Sequence, residues 1–230
     1  MPDSIGVVIP VFNGASYLKE ALDSIFAQEY APQEVIVVDD GSTDESLAIS
    51  TQYSQIHCIS QENRGVAIAR NIGIQASQTD LIAFLDQDDI WAPEKFHLQI
   101  SYLEEHLGAG YVVTQQLFFL DKGFKRPAWL KPELLEGPQP GLTPSTLLVR
   151  RSVFDQIGDF DPKYPMASDV DWFFRAKDAG TKMGSISKPL VYKRVHADNQ
   201  SNLARSLHAE YIRIARDSLS RRPGRKNSKS

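Results

Sequence analysis

Leu81-Ile82-Ala83-Phe84-Leu85-Asp86-Gln87-Asp88-Asp89-Ile90-Trp91 runs five apolar residues straight into three carboxylates within four positions. An unbroken apolar run of this length suits a strand buried on both faces, as in a parallel sheet. Acids gathered at the end of such a strand repel one another. At ~5 Å and an effective dielectric of ~20, each close pair costs roughly 3 kcal/mol. A divalent cation or polar ligand groups would relieve that repulsion, and Mg²⁺ typically pairs one or two carboxylates with substrate phosphates. The stretch therefore predicts a metal-assisted phosphate-ester site at the carboxyl end of a buried strand.

The residues before it repeat a strand–helix alternation. Residues 5–11 read as a strand that ends at Phe12-Asn13-Gly14, a turn signal. Leu18, Ala21, Leu22, Ile25 and Phe26 follow the spacing of an amphipathic helix. Residues 34–38 form a second strand, stopping at Asp39-Asp40-Gly41-Ser42. Ser42 or Thr43 can cap the next helix, with Glu45 in its first turn. A third strand spans 56–60 and a third helix 63–77, with Arg70 near its middle. After the acidic cluster, Pro93 opens a helix striped by Phe96, Ile100, Leu103 and Leu107. This alternation implies a mostly parallel sheet with right-handed crossovers. In such sheets ligands bind beyond the carboxyl ends of the strands, so Phe12-Asn13, Asp39-Asp40 and Asp86 to Asp89 should converge on one crevice.

The second half is less regular. Residues 111–120 read as one strand or a bent pair, and 122–141, with four of the thirteen prolines, as a long loop of the kind that serves as a lid. A strand at 145–149, a short helix at 151–157 closed by Gly158, and a helix at 169–179 stopped by Gly180 follow. A last strand at 190–195 and an amphipathic helix at 203–219 complete the pattern. It contains no internal repeat and no linker. The reading is one α/β domain over residues 1–220: a nucleotide half to about 110, an acceptor half over 111–201 and a C-terminal helix over 202–220.

Length and composition are those of an ordinary globular protein of 230 residues, 42% hydrophobic and 23% charged. The lone Cys58 cannot form an internal disulfide and reads as a buried structural thiol. Neither a signal peptide nor an 18-residue apolar window is present, which makes the cytosol the default compartment. The last ten residues carry five basic side chains and no acid, so the net charge of −4 leaves −9 for residues 1–220. An acidic body argues against nucleic acid as a partner. The basic tail, 221–230, could touch anionic lipid, giving peripheral membrane contact, or could be a solvated disordered end.

The segments VVIPVFNG at 7–14, EVIVVDDGSTD at 34–44, NRGVAIARNIGI at 63–74 and FLDQDDIW at 84–91 resemble the inverting glycosyltransferases of family 2. TLLVRRSVFDQIGDFD at 146–161, SDVDWFFRAKDAG at 168–180 and YKRVHADNQS at 192–201 are similar to that family's acceptor-side half. Several motifs in the family's order, over roughly residues 4 to 201, are far more specific than a lone Asp-x-Asp. The resemblance implies a GT-A fold, a Rossmann-like mixed, mostly parallel sheet flanked by helices. It implies a nucleoside diphosphate sugar donor, UDP-linked by preference, and Mg²⁺ or Mn²⁺. The acceptor could be a glycan, a lipid-linked molecule or a small molecule.

By the same resemblance, Pro10 and Phe12 would flank the nucleobase, and Asp40 would accept a hydrogen bond from a uracil-type N–H while Asp39 shapes the turn; turn chemistry alone is the competing account of that pair. Arg70 would reach the nucleotide, with a surface salt bridge as its alternative. Asp86 would hold the ribose, Asp88 would ligate the metal on the diphosphate, and His196 would bind that metal or the diphosphate itself. Asp89 would serve as a cap or support. Asp169 would be the general base that deprotonates the acceptor hydroxyl, with helix capping as its plain alternative and Asp171 as the neighbour open to confusion with it. The family commonly has Glu-Asp where this chain has Ser168-Asp169, which puts acceptor contacts in question. Trp91, Trp129 and Trp172 read as core or loop anchors. The processive members' Gln-x-x-Arg-Trp motif is absent, so single-sugar addition is expected. Two other classes remain: a haloacid-dehalogenase-like phosphotransferase, which also uses Asp-x-Asp after an apolar strand, and a non-catalytic nucleotide-sugar binding protein.

Overall fold

The structure, a computed structural model, describes residues 3–199 and 204–221, with side chains of the last helix described from 207 onward. The basic tail beyond Arg221 lies outside the described residues. The chain-order elements are β1 (Ile5–Val11), α1 (Leu18–Phe26), β2 (Glu34–Asp39), α2 (Ser46–Ser50), β3 (Ile56–Ser60), α3 (Val66–Ala76) and β4 (Leu81–Phe84). There follow β5 (Ile90–Trp91), α4 (Lys95–Glu105), β6 (Ala109–Leu120), β7 (Gln139–Pro140), β8 (Leu148–Arg150), α5 (Arg151–Ile157), α6 (Ser168–Asp178), β9 (Lys182–Val195) and α7 (Ala204–Arg221).

One sheet runs β3-β2-β1-β4-β8-β6-β9-β5, with β7 added beside β6. β1 to β4 are parallel, whereas β8 runs antiparallel to both its neighbours. Odd residues of β1 (Ile5, Val7, Ile9, Val11) pack with Leu18, Leu22 and Ile25 of α1 and Phe96, Ile100 and Leu103 of α4. Val8 faces the other way, with Ala67 of α3, Phe154 of α5 and Trp172 of α6. A strand covered on both sides has no polar face, which is why β1 and β4 read as unbroken apolar runs. On that second face α3 lies so close that a Cβ on Gly73 would fall 2.2 Å from a Val8 methyl.

Two strands depart from the sequence reading. β9 is fourteen residues long, not six, because its polar first half (182–189) is ordered by parallel pairing with β6 through a bulged register rather than by apolar pattern. Residues 145 and 146, expected to open a strand over 145–149, lie instead in a 3-10 turn at Pro144–Thr146 before a shorter β8. The 122–141 segment contains a 3-10 turn at Pro132–Leu135 and the short β7. Nor do Ser42 and Thr43 cap α2, whose N-cap is Glu45. Their polar groups meet Asn13 instead: Ser42 Oγ accepts from Asn13 N–H at 3.0 Å, and Thr43 N–H donates to Asn13 Oδ1 at 2.8 Å.

α4 also holds a fully buried lysine. Lys95 Nζ donates to Gln99 Oε1 at 2.8 Å and lies 4.2 Å from the Trp91 ring centre. Burial lowers its pKa well below the ordinary lysine value. The folded state therefore binds fewer protons than the unfolded chain, and stability rises with pH up to the ordinary lysine range. Chemical denaturation across that window should show unfolding free energy climbing by up to ~1.4 kcal/mol per pH unit, a slope that Lys95→Met lacks.

Candidate active site

The sheet order reverses between β1 and β4, the switch point beyond whose carboxyl ends such sheets bind ligands. The β1–β4 ladder ends at Val8–Phe84, with Leu85 N–H still reaching Val8 O. Two residues on and facing the same side is Pro10, which has no N–H to continue the ladder. Pro10 itself is buried in β1 opposite Val38. Phe12, just past the strand, is 44% exposed. Its backbone is held at both ends by Gln87, whose Oε1 accepts from Phe12 N–H at 2.8 Å and whose Nε2 donates to Phe12 O at 3.1 Å.

Asp40, at the end of β2, is buried and already engaged. Its carboxylate accepts from Gln61 Nε2 at 2.6 Å and from the N–H groups of Arg64 and Gly65 at 2.8 Å each. It thereby fixes the entry to α3, where Gly65 takes φ 91°, a left-handed value suited to glycine. Asp39 binds Ser60 Oγ and, at 3.4 Å, Ser42 N–H, so it does shape the turn.

The acidic cluster is compensated from within the protein. Asp86 Oδ1 pairs with Arg70 at 2.7 Å, and its Oδ2 lies 3.5 Å from Lys193 Nζ. Burial works to raise the Asp86 pKa, but the Arg70 and Lys193 charges outweigh it and hold the carboxyl below its usual range. Asp89 is wholly buried; its Oδ2 accepts from Ser145 Oγ at 2.7 Å and from Lys193 at 2.9 Å. Burial pushes Asp89 upward despite Lys193, with Asp88 and Asp86 adding to the rise. For Lys193 burial opposes the charge, yet Asp89, Asp86 and Asp88 keep its pKa above the ordinary lysine value. Asp88 differs. Its Oδ2 contacts His196 Nε2 at 2.9 Å and Asn199 Nδ2 at 3.0 Å, and neither a lysine nor an arginine bridges its carboxylate among the described residues.

Sheet register explains why these groups meet. β5 pairs antiparallel with β9 as Ile90↔Tyr192 and Trp91↔Val191. Continuing the register sets Lys193 against Asp89 and Arg194 against Asp88, whose carbonyl accepts from Arg194 Nε at 3.2 Å. Arg194 also bridges Glu20 and Asp121, tying β9 to α1 and the end of β6. Lys193, Arg194, Asn199, Ser145 and Gln87 carry the site's framework, and sequence reasoning assigned none of them a role. The clustered acids were the available signal for Lys193: three carboxylates on a buried strand require cations, and Lys193-Arg194 is a basic pair beside His196.

The surface salt-bridge reading of Arg70 is corrected, since Arg70 and Asp86 form a largely buried pair on the crevice floor. Among the described residues the buried Arg70 Nε has no hydrogen-bond partner. Asp169 stands in the first turn of α6, close enough for Arg70 and Asp86 to act on its charge. The N-cap of α6 is Ala167, and the Asp169 carboxylate takes backbone hydrogen bonds within the first turn. Burial raises the Asp169 pKa; Arg70 pulls it down and Asp86 adds to the rise. Asp171 is buried and committed elsewhere, accepting from Arg175 Nε at 2.7 Å. Arg175 in turn donates to the carbonyls of Ile157, Gly158 and Asp159, so Asp171 supports the α5–α6 junction. Glu210 of α7 accepts from the Met166 and Ala167 N–H groups at 3.1 and 2.9 Å, anchoring the start of α6. Trp91 and Trp172 are core residues.

The residues present fit a divalent cation of the Mg²⁺ type. Asp88 and His196, hydrogen-bonded at 2.9 Å, bring a carboxylate oxygen and an imidazole nitrogen together, and these two side chains would hold such an ion. Among the described residues no group of three or more His, Cys, Asp or Glu side chains forms a metal cage.

A mixed sheet with its crevice at the β1–β4 switch point and an Asp-x-Asp at its lip defines a GT-A type nucleotide-sugar fold. The chain belongs to glycosyl transferase family 2, whose model matches residues 6–164. An uncharacterized glycosyltransferase of Rickettsia prowazekii (strain Madrid E) is 31% identical over 222 residues, covering 90% of this chain and 69% of that protein. The amylovoran biosynthesis glycosyltransferase AmsB of Erwinia amylovora is 31% identical over 207 residues, covering 82% of this chain and 68% of that one. In fold the chain is similar to S. aureus TarS in complex with UDP-GlcNAc (TM-score 0.73, 20% identity, 95% of this chain and 66% of that chain). It is also similar to the mannosyltransferase PcManGT from Pyrobaculum calidifontis in complex with GDP-Man and Mn²⁺ (TM-score 0.74, 18% identity, 96% and 65%). The chain thus spans about two thirds of the length of these relatives. None of the described helices is long and apolar enough to cross a membrane.

Proposed function

We propose that the chain transfers a single sugar, with inversion, from a nucleoside diphosphate sugar to an acceptor hydroxyl. One observation carries this reading: of the three clustered acids, Asp86 and Asp89 are neutralised by Arg70 and Lys193, which leaves Asp88 for an incoming cation. Asp88 and His196 would hold Mg²⁺ or Mn²⁺. When bound, that ion stabilises negative charge on the leaving diphosphate. Phe12 offers an exposed ring face for a nucleobase, with Pro10 as floor beneath it. Asp40 keeps room on Oδ2 for one further donor such as a uracil N–H. Arg70 sets its positive charge, paired with Asp86, beneath the nucleotide, while Asp86 faces the ribose. Asp169 takes the proton of the acceptor hydroxyl as its oxygen bonds to the anomeric carbon and the carbon–phosphate-oxygen bond breaks, releasing the nucleoside diphosphate. Its raised pKa makes it a stronger base than an ordinary aspartate.

The phosphotransferase alternative gives way to the family match. To test the proposal, UDP-, GDP- and dTDP-sugars are screened by thermal shift with and without Mn²⁺. One nucleotide class, UDP in the first instance, should stabilise the protein in the presence of metal and be released as diphosphate when acceptor is added. No stabilisation by any nucleotide in either condition refutes it, and stabilisation without transfer to a panel of acceptors points to the binding-protein alternative.

A further inference from the structure

We propose that Tyr17 is a positioning residue of the metal site, its ring holding the His196 imidazole in place beside Asp88. The inference rests on the reading of His196 as a metal-binding side chain. Tyr17 is the N-cap of α1, and its ring centre lies 4.4 Å from that of His196, the two planes inclined by 46°. His196 Nε2 meets Asp88 Oδ2 at 2.9 Å. That bond lies in the imidazole plane and does not by itself stop the ring from tipping about it. Nor does the backbone fix the ring: β9 ends at Val195, and Asn199 Oδ1 accepts from His196 N–H at 2.6 Å, which secures the main chain alone. A neighbour packed against the ring resists the tipping, and Tyr17 is such a neighbour.

Tyr17 is itself held on several sides. Its hydroxyl donates to Asp121 Oδ2 at 3.2 Å, just past the end of β6. The Arg194 guanidinium lies 5.0 Å from its ring centre and bridges Asp121 to Glu20 in the first turn of α1. The turn that leads into the helix is fixed as well: Gly14 N–H donates to Ser46 Oγ at 2.8 Å, Ala15 N–H to Asp44 Oδ2 at 3.0 Å, and Tyr17 N–H to Gly14 O at 2.9 Å. A side chain anchored at its hydroxyl, its ring and its backbone makes a firm stop for the imidazole. Its placement does not come from core packing. Tyr17 is half-buried, and among the described residues it joins none of the apolar core clusters. Groups that orient a metal-binding histidine typically change metal affinity about 10–100-fold when they are removed.

The test is titration of the full chain with Mn²⁺ in excess UDP and, separately, excess GDP, with free Mn²⁺ read by electron paramagnetic resonance. Tyr17→Leu should weaken Mn²⁺ binding about ten-fold, whereas Tyr17→Phe, which keeps the ring, should recover most of that loss. His196→Ala should weaken binding too, and adding Tyr17→Leu to it should cost nothing further, because Tyr17 acts through the imidazole. Nucleotide affinity without metal should stay near that of the wild type in Tyr17→Leu. A measurement on the wild type stands whether or not that variant folds: saturating Mn²⁺ should broaden the Tyr17 ring resonances, assigned by their loss in Tyr17→Phe. Wild-type Mn²⁺ affinity in Tyr17→Leu, additive losses in the double variant, an equal loss of metal-free nucleotide binding, or Tyr17 resonances that stay sharp would each overturn the proposal. Undiminished Mn²⁺ binding by His196→Ala, or no Mn²⁺ binding by the wild type with either nucleotide, overturns instead the metal role of His196 on which it rests.

Discussion

Replacing Asp169 with asparagine should lower turnover by ~10²–10⁴-fold while nucleotide affinity stays close to that of the wild type, if Asp169 supplies general-base catalysis. The geometry favours this split. Asp169 is not the N-cap residue of α6 and is no part of the Arg70–Asp86 pair, so its removal leaves the nucleotide side of the crevice intact. The raised pKa adds a second readout. The base works only when ionised, so as pH falls the rate should fail at a pH above the ordinary aspartate range. Single-turnover kinetics across pH, alongside nucleotide titration, measures both. Equal loss of binding and turnover would instead make Asp169 a donor-site residue. Asp171→Asn serves as the contrast: it weakens the α5–α6 junction through Arg175 and should lower melting temperature more than it changes the pH profile.

Lys193→Met is the second large effect, and it falls on stability. The methionine fills similar volume but leaves Asp89 wholly buried without its cation and Asp86 with Arg70 alone. Breaking a buried ion pair from one side costs ~3–5 kcal/mol. The pH dependence identifies the cause. Without Lys193 the folded-state pKa of Asp89 stands further above its unfolded value, so the folded form binds more protons. Asp89 is already pushed up to about 7 in the wild type, so the variant's deficit should widen as pH rises above 7 and change little below it. Urea denaturation at several pH values distinguishes this from a packing defect, which would be pH-independent.

The same residue shows how far the sequence could be read. Apolar runs identified β1, β2 and β4, because a strand covered on both faces carries its signal in its own composition. Their polar ends, from Phe12 to Asp89, could therefore be brought to one crevice by topology alone. The repulsion among Asp86, Asp88 and Asp89 was legible too, but its remedy was not. Relief comes from Arg70 and Lys193, the latter more than a hundred residues away, and only the β5–β9 register brings it to Asp89. The polar first half of β9 was missed for a related reason: its order comes from pairing with β6. Asp169 and Asp171 look equivalent in SDVDWFF; Arg175, one turn beyond Asp171, separates them only once its bonds to the α5 carbonyls are seen. Ser145 reads as a strand residue because it precedes an apolar run, yet its hydroxyl links Asp86 N–H to Asp89.

The central claim is that internal cations reserve Asp88 for a metal-bound diphosphate. Calorimetric titration of wild type and Asp88→Asn with UDP and GDP, each with and without Mn²⁺, tests it most directly. The account predicts that one nucleotide binds the wild type with a strong metal requirement, and that Asp88→Asn loses the metal-dependent part while its melting temperature without ligand changes little. Equal metal-dependent binding by both proteins would contradict it.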